Sequence, residues 1–313
     1  MKRSILISLL LVGAVVAVIA GATTAYFSDP EKATGTFSAG VIDISVDGEN
    51  PWEGSFDLAD LKPSETGLIE FTIHNDGDNP VVVWKHIGNV VTEGGVTTEP
   101  ELDDDPSDTT HDIDTVTNYD LSVDSTVIFA DEDNLSVDDI QSMWMPVGTI
   151  PGDGDLDVTQ SYHMRGDTGN WAQGDVMTFD IDLYAEQRLG SGPDQLSSKL
   201  FLDNKTGEPD WYFVADDTWG ILTWGSAASL HAQGLQASTA YSLITYAEPW
   251  PGTVSVLANG PSNASGNLDL APTMPATYTG KIWLVLSADT DGTKMTGWNP
   301  TAYLFESNLV SIP

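Results

Sequence analysis

Five histidines are the residues best suited to hold a catalytic metal, and their spacing decides which chemistry they can support. They are His74, His86, His111, His163 and His231. A common zinc peptidase needs two histidines four positions apart on a helix, with a glutamate between them as the base. No pair has that spacing, and the nearest two fall on separate predicted strands. We therefore expect a protein that is not an enzyme. A zinc site assembled across strands stays open, and the metal ligands stay unassigned.

Short clusters of aspartate offer oxygen ligands, which hard cations such as Ca²⁺ prefer. Residues 153–157 begin like an EF-hand loop, but the sixth position is Val158 and the twelfth is Met164, where that loop needs Gly and Glu. Similar clusters occur at Asp76/Asp78, Asp103–Asp105, Asp131–Asp133 and Asp289/Asp291. Aspartate is also common in solvated turns, where it bonds to the backbone. No cofactor is assigned, and Ca²⁺ stays an open alternative.

The composition excludes whole classes of function. The chain has 313 residues with 11 Lys and Arg against 47 Asp and Glu, for a formal charge of −36. Nucleic-acid binding needs clustered cations to neutralise phosphates, so we expect no nucleic-acid partner. The chain has no cysteine, which excludes disulfides, thiolate zinc sites and a cysteine nucleophile. Hydrophobic residues make up 41% of the chain, enough for buried cores.

The N-terminus is typical of a secretory signal peptide. Lys2 and Arg3 precede an uncharged apolar run from Ile5 to Ala22, and small residues lead up to Ala25. We expect residues 1–25 to be removed by signal peptidase, although an uncleaved membrane anchor stays open because the run is barely long enough to span a bilayer. The mature protein would then be extracellular or attached to the cell surface. Export gives meaning to three possible N-glycosylation sites, at Asn134, Asn204 and Asn263.

Alternating apolar and polar residues predict β-strands along most of the mature chain. In residues 67–75, for example, Ile69, Phe71 and Ile73 share one face. A Gly- and Pro-containing linker at 188–198 separates two halves that share no repeat, at 36–187 and 199–313. Other predicted strands include Val81–Trp84, Tyr119–Val123, Thr126–Ala130, Val158–Met164, Val176–Tyr184, Trp211–Val214, Gly220–Trp224, Tyr241–Tyr246, Gly252–Ala258, Lys281–Ser287 and Tyr303–Leu309. Residues 137–145 have an ambiguous, partly helical rhythm, and residues 92–118 predict a long acidic loop.

The start of the mature chain resembles the TasA/camelysin family. The similar segments are Ala25-Tyr26-Phe27-Ser28-Asp29, Thr36-Phe37-Ser38-Ala39-Gly40-Val41-Ile42-Asp43-Ile44, Leu61-Lys62-Pro63-Ser64 and Phe71-Thr72-Ile73-His74-Asn75-Asp76-Gly77, with Ala185-Glu186-Gln187 similar to the family's closing strand. The signal resembles the family's SipW-type signal. Such proteins are exported jelly-roll proteins that polymerise into biofilm matrix filaments, and archaeal bundling pilus proteins look similar. The resemblance therefore implies a TasA-like jelly-roll sandwich, which we expect to be followed by a second, immunoglobulin-like β-sandwich.

In that family the leading mature segment leaves its own subunit and pairs with the next one as a donated strand. If the resemblance extends to this chain, the donated strand is residues 26–35. Its assembly residues are then Tyr26, Phe27, Ser28, Asp29, Ala33, Thr34 and Gly35. The partner would be another copy of the chain, in a head-to-tail homopolymer. The C-terminal half resembles a module of surface proteins of methanogenic archaea, which implies an archaeal cell-surface setting.

Three functions remain open from the sequence. The leading hypothesis is an exported structural protein that polymerises by donor-strand complementation. An alternative is a monomeric cell-surface adhesin or carbohydrate-binding protein, in which Trp219, Trp250 or Trp298 near turns could stack on cell-surface glycans. A camelysin-like metalloprotease is the third and rests on family labelling alone.

Overall fold

A computed structural model describes residues 42–53, 65–94, 103, 109, 111–187 and 192–313. Among these residues no helix is long and apolar enough to cross a membrane. The signal at 1–25 and the donor segment at 26–35 lie outside the described residues. The secondary structure is dominated by strands that pair antiparallel, which confirms the predicted all-β fold. The strands are β1 Ile44–Val46, β2 Thr66–Asn75, β3 Val81–Glu93, β4 Thr117–Val123, β5 Thr126–Phe129, β6 Trp144–Ile150, β7 Asp155–Met164, β8 Val176–Gln187, β9 Lys199–Asp203, β10 Trp219–Thr223, β11 Ser229–Ala232, β12 Ala240–Ala247, β13 Thr253–Pro261, β14 Leu268–Leu270, β15 Tyr278–Leu286, β16 Leu304–Glu306 and β17 Val310–Ile312.

The first eight strands form two sheets that pack on a common core. One sheet has the order β1-β2-β7-β4-β5 and the other has the order β6-β3-β8. The alternation predicted for β2 is confirmed, because Ile69, Phe71 and Ile73 are buried while the residues between them are exposed or half-buried. Val81–Trp84 is a continuous apolar run because both faces of β3 are covered.

The order of these strands matches the jelly roll that the family resemblance implies. In an eight-stranded jelly roll, strands 2-7-4-5 form one sheet and strands 6-3-8-1 form the other. Here β2-β7-β4-β5 and β6-β3-β8 reproduce that order. The difference is β1, which is only three residues long and pairs with β2 instead of β8. The position beside β8 that the first strand of a jelly roll takes is therefore not filled by any described strand.

The remaining nine strands form one sheet that curls around its own core. Its order is β13-β12-β15-β16-β9-β10-β11-β14, with β17 also paired to β15. The end strands β13 and β14 touch, so the sheet faces itself across the core as two layers of a sandwich do. Leucines from several strands fill the interior, among them Leu202, Leu222, Leu243 and Leu284.

Residues 42–313 belong to one compact unit, because side chains of β9–β17 also pack on the first core. Trp219 is fully buried, and its ring centroid lies 5.2 Å from that of Phe129 in an edge-to-face arrangement. The Trp219 indole N–H donates a hydrogen bond to the Ile128 carbonyl at 2.9 Å, and Trp84 donates likewise to the Ser307 carbonyl at 2.9 Å. The domain boundaries at 36–187 and 199–313 stay a prediction.

Two segments differ from the sequence-based expectation. Trp211–Val214 is not a strand, because Trp211 adopts φ +54° and the segment keeps only a single bridge between Lys205 and Phe213. The ambiguous segment 137–145 contains one helical turn, α1 (Val137–Ile140), capped by Ser136, whose Oγ accepts from the Asp139 N–H at 3.2 Å. Three residues separate the end of this turn from strand β6, which begins at Trp144.

Candidate functional site

Strand β8 is an edge strand among the described residues, and we call its side away from β3 the open edge. It pairs with β3 along its length, from Val81 opposite Gln187 to Glu93 opposite Val176. No other strand in the described part of the chain pairs with β8. Backbone N–H and C=O groups on such an edge can pair with another strand, which makes the edge a template for an added chain.

Side chains of β8 that point into the core are only partly covered. Met177, Phe179, Ile181, Leu183 and Ala185 pack against the first core but remain half-buried. In the neighbouring strand β3, by contrast, the core residues Val81, Val83 and Ile87 are almost completely buried. A strand added beyond β8 would cover this half-exposed apolar row, which favours addition by the hydrophobic effect.

The outward face of β8 carries acidic side chains that are tied to β3. Asp182 Oδ2 lies 3.0 Å from His86 Nδ1, and Asp180 Oδ2 accepts a hydrogen bond from Asn89 Nδ2 at 2.6 Å. Charges of one sign along an edge are a common means of suppressing unwanted pairing. An incoming strand must therefore match this edge electrostatically as well as in backbone geometry.

A second candidate site is an aromatic patch formed by three connections between strands of the C-terminal half. Trp250 is 52% exposed and Trp298 is 37% exposed, with their ring centroids 5.3 Å apart. Trp211 adds a third ring, 5.7 Å from Trp298. Trp219, the other tryptophan considered for sugar stacking, is buried in the core and takes no part. Exposed clustered indole rings can stack on the apolar faces of sugars.

The three possible glycosylation sites have different surroundings. Asn263 is exposed, and its Oδ1 accepts hydrogen bonds from the backbone N–H groups of Ser265 and Asn267 at 2.8 and 3.0 Å. Asn134 is exposed but its Nδ2 donates to the Glu132 carbonyl. Asn204 is half-buried, and its Nδ2 lies 3.4 Å from Asp216 Oδ2. Modification at all three positions stays a prediction.

Two of the aspartate clusters that could bind Ca²⁺, Asp76/Asp78 and 153–157, meet around His74. Asp155 Oδ1 lies 2.7 Å from His74 Nδ1, and Asp76 and Asp153 lie 3.6 and 3.8 Å from His74 Nε2. The hydrogen bond with Asp155 raises the pKa of His74 above its ordinary value. Asp289 instead accepts hydrogen bonds from Asn299 and the Tyr303 hydroxyl, so it is satisfied by the protein itself. Asp104 and Asp105 lie outside the described residues.

Among the described residues, one group has His and carboxylate ligand atoms close enough for a metal. It consists of Asp120, Asp131 and His163, whose ligand atoms lie within 4.8 Å of one another. The group lines a cleft of about 660 Å³ together with Asn118 and the loop at 165–167. Sequence spacing does not reveal this group, because Asp131 belongs to a turn cluster while Asp120 and His163 lie on separate strands.

These features define an all-β protein with a jelly-roll sandwich, an acidic composition and, in the part of the chain that the structure describes, a sheet edge at β8 without a second partner strand. The chain belongs to the camelysin metallo-endopeptidase family, whose model matches residues 1–191. No curated protein matches the chain. TasA-like members of the family are structural, and family proteins are generally surface-associated or secreted.

The family's name, metallo-endopeptidase, implies a metal. The described residues contain no pair of histidines four positions apart. The cluster of Asp120, Asp131 and His163 does fit a divalent cation, because the buried Oδ1 atoms of Asn118 and Asp120 have no hydrogen-bond partner among the described residues. These four residues would hold the ion, and a bound divalent cation can polarise a carbonyl or a water molecule.

Proposed function

We propose that this chain is an exported structural protein that polymerises head-to-tail into extracellular filaments or matrix. The leading mature segment of one copy, residues 26–35, adds as a strand to the open edge of β8 in the next copy. The observation that carries the proposal is that β8 pairs with no strand other than β3 among the described residues, beside a row of half-buried core side chains. A contact between two different surfaces that does not close on itself extends into a filament.

The dimensions and composition of the segment suit this edge. Ten extended residues span about 33 Å, and the twelve residues of β8 span about 40 Å. An added strand would become the new outer strand of the sheet, where Pro30 and the charged residues Asp29, Glu31 and Lys32 are tolerated. Asp29, Glu31 and Ala33 share one face of an extended strand, and on the outward side Asp29 and Glu31 are repelled by the acidic side chains of β8. Assembly is therefore expected to strengthen as salt screens the repulsion.

Electron microscopy of the purified mature protein tests the proposal. The protein that begins at Tyr26 should form filaments in high salt, and a variant that begins at Thr36 should remain monomeric. Equal circular dichroism and equal melting temperatures would show that the shortened protein still folds. A synthetic peptide of residues 26–35 should cap the edge and block filament growth, while a scrambled peptide should not. Filaments from the shortened protein, or monodisperse full-length protein at every salt concentration, would contradict strand donation.

The aromatic patch supports a second candidate function, glycan binding by a surface adhesin. Trp250→Ala should weaken binding to surface polysaccharide, since the most exposed ring of the patch is lost. Trp171→Ala, a half-buried tryptophan on a separate turn, is the matched control. Binding to polysaccharide by a protein that never polymerises would favour this function over the structural one.

Peptidase activity is the third candidate, and the family's name supports it. Casein cleavage by the purified protein, abolished by a chelator and by His163→Asn, would establish it. We propose the structural role instead because the open edge and the family's structural members favour assembly.

A further inference from the structure

The cleft at Asp120 is built on the solvent-facing side of the five-stranded sheet. The register places His163 of β7 opposite Asn118 of β4, and Ser161 of β7 opposite Asp120 of β4. Directly opposed residues of paired strands project from the same face of the sheet. Asn118, Asp120 and His163 therefore converge on one side, and Asp131 approaches from the turn that follows β5.

Two buried oxygen atoms at this place lack a hydrogen-bond partner among the described residues. Asn118 is 3% exposed, and its side-chain Oδ1 is unpartnered. Asp120 Oδ2 accepts a hydrogen bond from Ser161 Oγ at 2.6 Å, but its buried Oδ1 is also unpartnered. Folded proteins rarely leave buried acceptors unpaired, because such groups have given up water without receiving a donor. A bound cation would satisfy both atoms.

A histidine lies between the two carboxylates. His163 Nε2 is 2.7 Å from Asp131 Oδ1, and Nδ1 is 3.5 Å from Asp120 Oδ2. The Asp131 side chain is 77% exposed and can turn toward a ligand, whereas those of Asp120 and His163 are 24% and 14% exposed. The Arg165 guanidinium also lines the cleft, but it donates to the Thr115 carbonyl.

We propose that Asn118, Asp120, Asp131 and His163 form a binding site for a divalent cation that accepts mixed nitrogen and oxygen ligands, with Zn²⁺ or Mn²⁺ as its type. An imidazole ligand favours such ions, whereas Ca²⁺ sites are built from oxygen alone. The open cleft leaves room for water molecules to complete the coordination shell. The ion would tie together β4, β7 and the turn after β5, which meet at one end of the sheet.

The cluster around His74 provides an internal comparison on the same face of the sheet. It also has one histidine and several aspartates. However, the side chains of Asp153 and Asp155 are largely exposed, and none of the aspartate oxygens in this cluster is buried without a hydrogen-bond partner. Acidic groups of this kind attract cations only diffusely. A cation that binds because of net charge alone would not distinguish the two clusters.

The test is a titration of metal-free mature protein with ZnCl₂ by isothermal calorimetry, together with the visible absorption of bound Co²⁺. One equivalent should bind, and saturating Zn²⁺ should raise the melting temperature by about 5 °C. His163→Asn should remove the absorption bands that a nitrogen ligand gives to Co²⁺. His163→Asn and Asp131→Asn should each weaken Zn²⁺ binding about tenfold or more. His74→Asn should leave the affinity and the absorption unchanged.

Circular dichroism checks that each variant folds. If His163→Asn does not fold, Asp131→Asn still tests the proposal, because the exposed Asp131 side chain can be replaced without disturbing the core. Unchanged Zn²⁺ affinity in Asp131→Asn would overturn the proposal. So would weak binding of many equivalents, or a loss of binding in His74→Asn alone. Stoichiometric binding of Ca²⁺ in preference to Zn²⁺ would overturn the assigned ligand class. The readouts are independent of polymerisation and of peptidase activity.

Discussion

Replacing Lys85 with methionine should stabilise the protein, most strongly at pH 7 and below. Lys85 lies on β3 and is completely buried in the first core, where its Nζ donates a hydrogen bond to the Tyr119 hydroxyl at 2.9 Å. The Tyr119 hydroxyl in turn donates to Gln160 Oε1 at 3.1 Å. Burial lowers the pKa of Lys85 from 10.5 to about 7. Methionine keeps a similar length and volume, and the Tyr119 hydroxyl keeps its acceptor.

The size and sign of the effect follow from that pKa. A fall from 10.5 to about 7, at 1.36 kcal/mol per unit, corresponds to about 4–5 kcal/mol against folding while the unfolded lysine is fully charged. The lost hydrogen bond to Tyr119 offsets about 1 kcal/mol. Between pH 7 and 10.5 the unfolded chain holds a proton that the folded chain lacks, so the free energy of unfolding should rise with pH. Below pH 7 both states are protonated and this contribution becomes constant.

Urea unfolding at pH 6, 7, 8 and 9 measures the difference between the two proteins. At pH 7 the free energy of unfolding of Lys85→Met should exceed that of the unmodified protein by about 2–4 kcal/mol. This difference should shrink by about 1 kcal/mol for each pH unit above pH 7. Lys294→Met, at an exposed lysine, is the matched control and should leave the curve unchanged. A pH-independent gap, or a variant less stable at every pH, would refute the reasoning.

Three further predictions concern the C-terminal half. Burial raises the pKa of Glu306 from 4.5 to about 7, so the folded protein holds a proton that the unfolded chain loses between those pH values. The free energy of unfolding should therefore fall as pH rises through that window. In urea unfolding, Glu306→Gln should make this fall smaller and should raise the free energy of unfolding at pH 8 by about 2 kcal/mol. Trp219→Phe should lower the free energy of unfolding by about 2 kcal/mol in the same assay, because the Ile128 carbonyl loses its hydrogen-bond donor and the smaller ring leaves a cavity. Mass spectrometry of the protein from a glycosylating host should find sugar on Asn263 and none on Asn204, whose amide is engaged; the reverse pattern would contradict this assignment.

The sequence predicts those strands whose side chains meet a clear difference between core and solvent. β2 and β8 alternate strictly, and Val81–Trp84 is apolar throughout because it is covered on both faces. The sequence does not predict β6, because Pro146 and Gly148 interrupt the alternation of apolar and polar residues and a helical turn lies just before the strand. β14, only three residues long, is too short to show a period.

The candidate sites were less predictable because they depend on the register between distant strands. His163 and Asn118 are 45 positions apart and meet only because β7 pairs with β4 in one particular register. Local spacing cannot reveal such a pair. That no described strand lies beyond β8 is also a property of topology, because β1 pairs with β2 instead. The segment 26–35 itself was singled out only through the family resemblance.

The absence of cysteine makes disulfide trapping the most direct test of strand donation. One protein would carry Ala33→Cys, and a second would carry a single cysteine at an outward position of β8, either Thr178, Asp180 or Asp182. Mixed under oxidising conditions in high salt, the two proteins should form a heterodimer for at least one position, as seen on a non-reducing gel. Chains that carry both cysteines should form ladders of linked subunits. Linkage only within single chains would show that the segment closes on its own sheet, and it would contradict the account.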